Sequence, residues 1–193
     1  IKKNAFKYNG SLKSVTLPSS LRTIGEEAFY DCSGFKDLVI PEGVQSIGSY
    51  AFYYCRALQR VELPSTLQSI DVSAFRETDN LTTVISRIQT PFDISESVFC
   101  VSQNQEYNTY TQQYEWVYTP NTATLCVPDG TKASYEAIAG WNMFAGGIFE
   151  GEPVEGEVGG LKYLFTKGSN VATVISGEYS GRSEERRVGK ECR

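Results

Sequence analysis

The sequence has 193 residues, of which 40% are apolar and 21% are charged, a composition that suits a folded domain with a substantial core and not a disordered chain. Its net charge of -5 argues against strong attraction to nucleic acid or to an anionic membrane. Histidine is absent, which removes the usual general base, the imidazole metal ligand and every Ser/His/Asp or Cys/His arrangement. No apolar run is long enough to cross a membrane. The chain begins at Ile1 without an apolar leader, so we expect a piece of a longer protein.

A 23-residue repeat organises the first half of the chain. Pairs of Ala and Phe recur at this step, at 5–6, 28–29, 51–52 and 74–75. One unit reads I-x-x-x-A-F-x-x-C-x-x-L-x-x-V-x-L-P-x-x-L-x-x. A fixed period of this length indicates a solenoid in which each repeat forms one turn.

Each repeat is predicted to contribute one short strand and one return segment. In Leu12–Leu17, Val15 and Leu17 point to one face of the strand and the residues between them to the other. Pro18 lacks an N–H group and ends the strand at a fixed place. The apolar residues after the proline are spaced for an irregular or briefly helical return. Because no repeat can bury its apolar face alone, we predict an α/β-type repeat solenoid with short parallel strands about 4.8 Å apart.

The L-x-x-V-x-L-P strand followed by I-G-x-x-A-F-x-x-C resembles the BspA-type leucine-rich repeats of bacterial surface proteins. The second part of this pattern is complete at Ile24–Cys32 and Ile47–Cys55. The resemblance covers residues 1–95, about four repeats, and the solenoid is expected to be truncated at its N-terminal end. It implies a curved leucine-rich repeat solenoid, a cell-surface or secreted location, and adhesion to proteins.

Residues 96–149 are predicted to form a capping unit, because an exposed end of a solenoid would place apolar side chains in water. The fourth repeat loses its pattern at Ser86 and Arg87, which replace the inward Leu and the Pro. After a long insertion, residues 123–128 repeat the strand pattern and predict one last strand. Thr131 is predicted to cap a short helix. The apolar residues of that helix are Tyr135, Ile138, Trp141 and Phe144.

Three segments follow the capping unit. Residues 150–160 hold four carboxylates, four glycines and a proline, and are predicted to be a solvated linker, with weak Ca²⁺ collection as the alternative. Residues 161–181 are expected to be the truncated start of a second module, a hairpin with strands at Leu161–Phe165 and Val171–Ile175. Residues 182–193, RSEERRVGKECR, resemble a translated sequencing adapter, so we expect an artefact, with a solvated basic tail as the alternative.

Four cysteines precede that tail. Cys32 and Cys55 share one position of the repeat, and we expect them to stack as buried free thiols rather than to form a disulfide. Cys100 and Cys126 align with outward positions on opposite sides of the solenoid, so both are expected to be free. Cys126 is then a candidate exposed thiol, but the chain has no histidine to activate it. No metal motif is present, and no cofactor or metal ion is expected.

Two surfaces are candidates for binding. The first is the outward face of the strands, which is either a binding array or an ordinary solvated sheet face. Its residues by alignment are Ser14, Thr16, Asp37, Val39, Arg60, Glu62, Thr83 and Ile85. The second is the insertion at residues 103–118, whose aromatic side chains either cover the solenoid end, the interpretation we favour, or contact a protein or sugar. They are Tyr107, Tyr110, Tyr114 and Trp116.

The sequence therefore favours a non-catalytic, extracellular or cell-surface module that adheres to a protein ligand, or to a glycan, through the strand face. We expect a monomer that binds no nucleic acid and does not insert into a membrane. The alternative is a passive spacer or targeting repeat attached to a catalytic or binding domain elsewhere in the protein. An enzyme is disfavoured because the chain lacks the residues of common catalytic sites.

Overall fold

The computed structural model describes residues 1–158, 161–165 and 172–176. The chain winds through about six turns of a parallel-strand solenoid. The parallel strands and the 23-residue spacing are as predicted, whereas about four repeats were expected. Equivalent strands of successive turns pair in two parallel sheets, and the inward side chains of both sheets belong to one hydrophobic core. The fold is therefore a leucine-rich repeat solenoid with few helices.

The smaller parallel sheet has the order β1-β3-β5 and contains β1 (Thr23–Ile24), β3 (Ser46–Ile47) and β5 (Ser69–Ile70). The larger has the order β10-β9-β6-β4-β2 and contains β2 (Asp37–Val39), β4 (Arg60–Leu63), β6 (Thr83–Ser86), β9 (Thr124–Val127) and β10 (Ile148–Glu150). Asp37 pairs with Arg60, and Arg60 pairs with Thr83. The register of the strands is thus the 23-residue step of the sequence.

A stack of phenylalanine rings runs along the solenoid axis. The rings of the Ala-Phe pairs, continued by Phe99, have centroids 5.0–5.2 Å apart and planes within 10° of parallel. The stack consists of Phe6, Phe29, Phe52, Phe75 and Phe99. At its end Phe99 contacts Trp141 and Phe144 of the capping unit. The capping unit therefore closes the core with aromatic side chains.

The return segments are more regular than the sequence suggested. Their amide groups alternate between two partners: the Phe29 N–H donates to the Ala51 carbonyl of the next repeat at 2.8 Å, and the Tyr30 N–H donates to the Glu27 carbonyl within its own turn at 3.2 Å. Each return contains two non-glycine residues with positive φ, four positions apart. These residues are Asn4, Tyr8, Glu27, Asp31, Tyr50, Tyr54, Ser73 and Glu77. Each return is a series of tight turns whose backbone groups are paired.

The strand predicted at Leu12–Leu17 does not form. The segment has no regular secondary structure, although its apolar side chains Leu12, Val15 and Leu17 pack against the core. However, the larger sheet ends at β2. Residues 13–17 and residues of the second repeat line a groove of about 670 Å³, and no parallel ladder joins them. The first repeat thus follows the sequence pattern without joining the sheet.

A strand and a short helix form near their predicted positions after the hairpin, but the helix holds only Tyr135 of the four apolar residues that were assigned to it. β9 follows β6 in the sheet, although the fold does not end there because β10 adds one more parallel strand. Helix α1 (Lys132–Glu136) begins after Thr131, but the Thr131 hydroxyl donates to the Pro128 carbonyl at 2.7 Å and does not cap the helix. A 3-10 turn follows at Ala139–Asn142. A Cβ atom at Gly140 would collide with the Ile94 carbonyl oxygen, so this turn requires glycine.

The insertion before β9 is a two-stranded antiparallel hairpin, β7 (Ser102–Asn108) and β8 (Gln113–Thr119). The segment 150–160, predicted as a linker, includes the end of β10 and the strand β11 (Val154–Val158). β11 pairs with β12 (Leu161–Phe165), which pairs with β13 (Ala172–Ser176). β12 and β13 lie where two strands were predicted. The predicted turn between them and the suspected artefact at 182–193 lie outside the described residues.

Candidate protein-binding surfaces

The outward residues of the strands form two columns, as the alignment predicted. Val39, Glu62, Ile85 and Cys126 follow one another across β2, β4, β6 and β9. Exposure falls along this column, since Val39 is 56% exposed whereas Ile85 is only 3% exposed. Thr83, in the neighbouring column, is 2% exposed. Thr83 and Ile85 lie on the outward face, as predicted, but both are buried, so they are not accessible to a partner.

Charged side chains cross the middle of this face. Arg60 contacts Glu62 at 2.9 Å, and Glu62 also contacts Arg87 at 3.3 Å. Arg87 forms a further ion pair with Glu152, whose hydrogen bond raises the pKa of the Arg87 guanidinium. Glu62 is therefore paired with both Arg60 and Arg87, and Arg60 and Glu62 present little unpaired charge to a partner.

The open end of the face lies at the first two repeats. Ser14, Thr16, Asp37 and Val39 all line the groove between residues 13–17 and β2, together with Lys13 and Lys36. All four predicted residues are exposed. β2 is paired on one side only, by β4, so its other edge faces the groove. The structure thus brings half of the predicted strand-face residues together around one concave surface.

The hairpin of β7 and β8 projects its aromatic side chains into solvent. Tyr107 and Tyr114 face each other across the strands, with ring centroids 5.4 Å apart, and Trp116 lies two residues along β8. Tyr110, at the tip, is 98% exposed, and Trp116 is 52% exposed. Only Tyr118, at the base, packs against the core. The favoured prediction that Tyr107, Tyr110, Tyr114 and Trp116 cover the solenoid end is therefore wrong.

Sequence reasoning missed a second aromatic cluster, on the return segments. Tyr30 stacks on Tyr53 with centroids 5.0 Å apart, and Tyr54 packs edge-on against Tyr53 at 4.4 Å. Basic side chains cover these rings: Lys7 Nζ is 4.5 Å from the Tyr30 centroid, and the Arg56 guanidinium is 4.6 Å from that of Tyr54. The signal was present in the tyrosines that follow the first three Ala-Phe pairs. Lysine and arginine side chains of the same chain therefore already occupy the cation–π positions over these rings.

Burial corrects the predictions for two cysteines. Cys100 and Cys126 were expected to point outward, but each is at most 1% exposed. The Cys100 thiol lies in Sγ–carbonyl contact with Ser97 at 3.5 Å, and burial raises its pKa to about 11. The prediction for Cys32 and Cys55 is confirmed: both are buried free thiols, and each donates to the carbonyl of a stacked phenylalanine in the preceding repeat.

Within the described residues, no group of three or more His, Cys, Asp or Glu side chains could hold a metal ion. None of the helices in that part of the chain is long and apolar enough to cross a membrane.

The comparison with protein families decides which class of solenoid this is. A model of the BspA-type leucine-rich repeat region matches residues 1–116 in six copies. The chain belongs to the BspA-type leucine-rich repeat family. No curated protein matches it. BspA-type repeats are commonly protein-interaction modules of surface or secreted proteins, and they are typically non-catalytic. The match extends beyond residue 95, where the repeat pattern was predicted to end, and reaches into the hairpin of this BspA-type chain.

Proposed function

We propose that this chain is a non-catalytic adhesion module of a cell-surface or secreted protein, and that it binds a protein partner at the open end of its strand face. The observation that carries the proposal is the groove of about 670 Å³, which is lined by Ser14, Thr16, Asp37 and Val39. A concave surface with an exposed apolar residue beside an unpaired strand edge suits a protein ligand. Of the other predicted strand-face residues, Arg60 and Glu62 are occupied by ion pairs, and Thr83 and Ile85 are buried.

The proposal is tested by placing a charge in the groove without disturbing the core. Val39→Asp changes a residue that is 56% exposed, so the fold should tolerate it. Val72→Asp is the matched control, because Val72 is 47% exposed and does not line the groove. The purified chain and both variants are applied to an array of matrix and cell-surface proteins. We expect the wild type and Val72→Asp to bind the same proteins, and Val39→Asp to bind at least tenfold more weakly.

The rival function, a passive spacer, makes the opposite prediction. A spacer binds nothing on the array above background, and Val39→Asp then changes nothing. If the wild type binds but Val39→Asp binds equally well, adhesion stands and the groove is the wrong surface. Circular dichroism of all three proteins at the same concentration confirms that a loss of binding is not a loss of fold.

A further inference from the structure

The hairpin has a chemical composition unlike the rest of the solenoid surface. Residues 102–119 carry two glutamates, Glu106 and Glu115, and no Lys or Arg. They also carry the exposed rings of Tyr107, Tyr110, Tyr114 and Trp116. Four tyrosines on the return segments, Tyr8, Tyr30, Tyr53 and Tyr54, lie beneath lysine or arginine side chains of the same chain. Among the described residues, no such cation lies over a hairpin ring.

The two faces of the hairpin differ, and each suits a cation. By register, Tyr107 pairs with Tyr114 and Gln105 with Trp116, so these rings share one face. Glu106 pairs directly with Glu115, which places two carboxylates side by side on the opposite face. Like charges directly opposite each other are destabilising in a sheet, so a cation brought to this pair would relieve a repulsion. The aromatic face offers a cation–π contact instead.

The Glu115 carboxylate is held in place in the ionised form. Asn108 Nδ2 donates to it at 2.9 Å and Thr111 Oγ1 donates to it at 2.8 Å. These hydrogen bonds lower the pKa of Glu115 below its usual range. At the base of the hairpin, Ser102 Oγ donates to Thr119 Oγ1 across the two strands at 2.9 Å, and Tyr118 packs on the solenoid core. The acidic face is therefore preorganised.

The backbone of the hairpin is open to a further strand. Its sheet contains β7 and β8 alone among the described residues, so each strand has one edge without a strand partner. An extended peptide that adds to such an edge places successive side chains alternately on the two faces. Alternate side chains of such a peptide would therefore lie on the face of the rings, and the others on the face of the carboxylates.

We propose that this hairpin binds an extended, Lys/Arg-rich segment of a partner protein by strand addition, with basic side chains over the rings of Tyr114 and Trp116 on one face and beside Glu106 and Glu115 on the other. This rests on the proposed function only in that both concern protein binding, since the hairpin and the groove are separate surfaces. The expected affinity is modest and salt-dependent, because the contacts are solvent-exposed.

The test is a selection of extended ten-residue peptides from a random display library by the full chain. We expect the enriched peptides to contain several Lys or Arg and few Asp or Glu. A synthetic peptide with an enriched sequence should quench the fluorescence of Trp116, since the only other tryptophan, Trp141, is buried. Replacing its basic residues by citrulline or norleucine should weaken binding at least tenfold, and N-methylation of alternate backbone amides should abolish it.

Variants assign the binding to the hairpin. Trp116→Ala and the pair Glu106→Gln with Glu115→Gln should each weaken binding five- to tenfold. Tyr8→Ala, which removes another exposed ring that lies outside the hairpin, should leave binding unchanged. A library without basic enrichment, binding that survives Trp116→Ala and the Glu106→Gln/Glu115→Gln pair, or binding of oligosaccharides instead would overturn the inference. Val39→Asp, which tests the groove, should not affect these peptides, so failure of one proposal is distinguishable from failure of the other.

Discussion

The hydroxyl group of Tyr135 lies 2.6 Å from that of Ser86, although 49 residues separate them in the chain. Tyr135 also donates to the Ile88 carbonyl at 2.8 Å, and because a phenol has one proton, the Ser86 hydroxyl must donate to Tyr135. Ser86 Oγ accepts in turn from the Ile88 N–H. The residue that breaks the repeat pattern at position 86 is thus the polar partner of the aromatic residue that caps the solenoid.

This network predicts unequal effects of removing its two hydroxyl groups. Tyr135→Phe leaves the Ser86 hydroxyl and the Ile88 carbonyl unsatisfied in the core and should cost about 1–3 kcal/mol. Ser86→Ala leaves the bond from Tyr135 to Ile88 intact and should cost about 1 kcal/mol. Urea unfolding of both variants and of the double variant measures the coupling, and Tyr110→Phe at the exposed tip is the control. Additive effects of the two changes would contradict the network.

Tyr135 should also make the stability depend on alkaline pH. Burial raises its pKa to about 12, against a value of about 10 in an unfolded chain. The folded state therefore keeps the phenol proton that the unfolded state loses, and stability falls as pH rises from about 10 to about 12. The loss from this group should be at most about 3 kcal/mol.

Comparison with Tyr135→Phe isolates that contribution. Burial and a hydrogen bond to Glu77 also raise the pKa of Tyr53, so the variant should retain part of the alkaline destabilisation. The free energy of unfolding is measured at pH 8, 9.5 and 10.5 for both proteins. If the gap between wild type and variant does not shrink as pH rises, the folded Tyr135 phenol is not protected from ionisation.

Asp31 tests the left-handed positions of the return segments. Its φ of 54° lies where an L side chain is strained, and no glycine occupies any of the eight equivalent sites. Asp31→Gly should therefore be more stable than Asp31→Ala by about 1 kcal/mol. At the nearby exposed Ser33, which has ordinary φ, the order should reverse. Thermal melts of the four variants give both comparisons, and the same order at both positions would argue against the turn geometry described above.

The repeat period allowed most of the solenoid to be predicted. Because equivalent residues recur every 23 positions, the period predicts the pairing register of neighbouring strands. The 23-residue step between Val61 and Val84 is therefore enough to place β4 beside β6. The left-handed turns could not be predicted in this way, because glycine or asparagine usually marks that backbone conformation and Glu27, Asp31 and Tyr54 do not.

Burial within the candidate site was harder to predict than register. The alternation of side chains along β6 correctly predicts that Thr83 and Ile85 lie on the face opposite Val84. It does not predict what covers that face. The exposure of the hairpin rings could not be predicted, for a different reason. Aromatic residues such as Trp116 normally indicate burial, and a strand with exposed rings has the same sequence pattern as a strand that covers a core.

The ring stack predicts that aromatic truncation costs more in the middle of the solenoid than at its end. Phe52 lies between Phe29 and Phe75, with centroids 5.2 and 5.0 Å away, and is fully buried. Phe52→Ala should cost about 3–5 kcal/mol through the lost contacts and the cavity. Phe6→Ala should cost about 1 kcal/mol, because Phe6 is 41% exposed and stacks on one side only.

Replacing Phe52 by a charged residue tests more strictly whether residue 52 faces the core. Phe52→Asp places a carboxylate in the core shared by adjacent repeats, so the chain should lose its cooperative melt. Phe52→Leu keeps most of the apolar volume and should lose less stability than Phe52→Ala. Urea unfolding and circular dichroism distinguish these results. A Phe52→Asp melt identical to that of the wild type would mean that residue 52 does not face the core, and the repeat alignment would then be wrong.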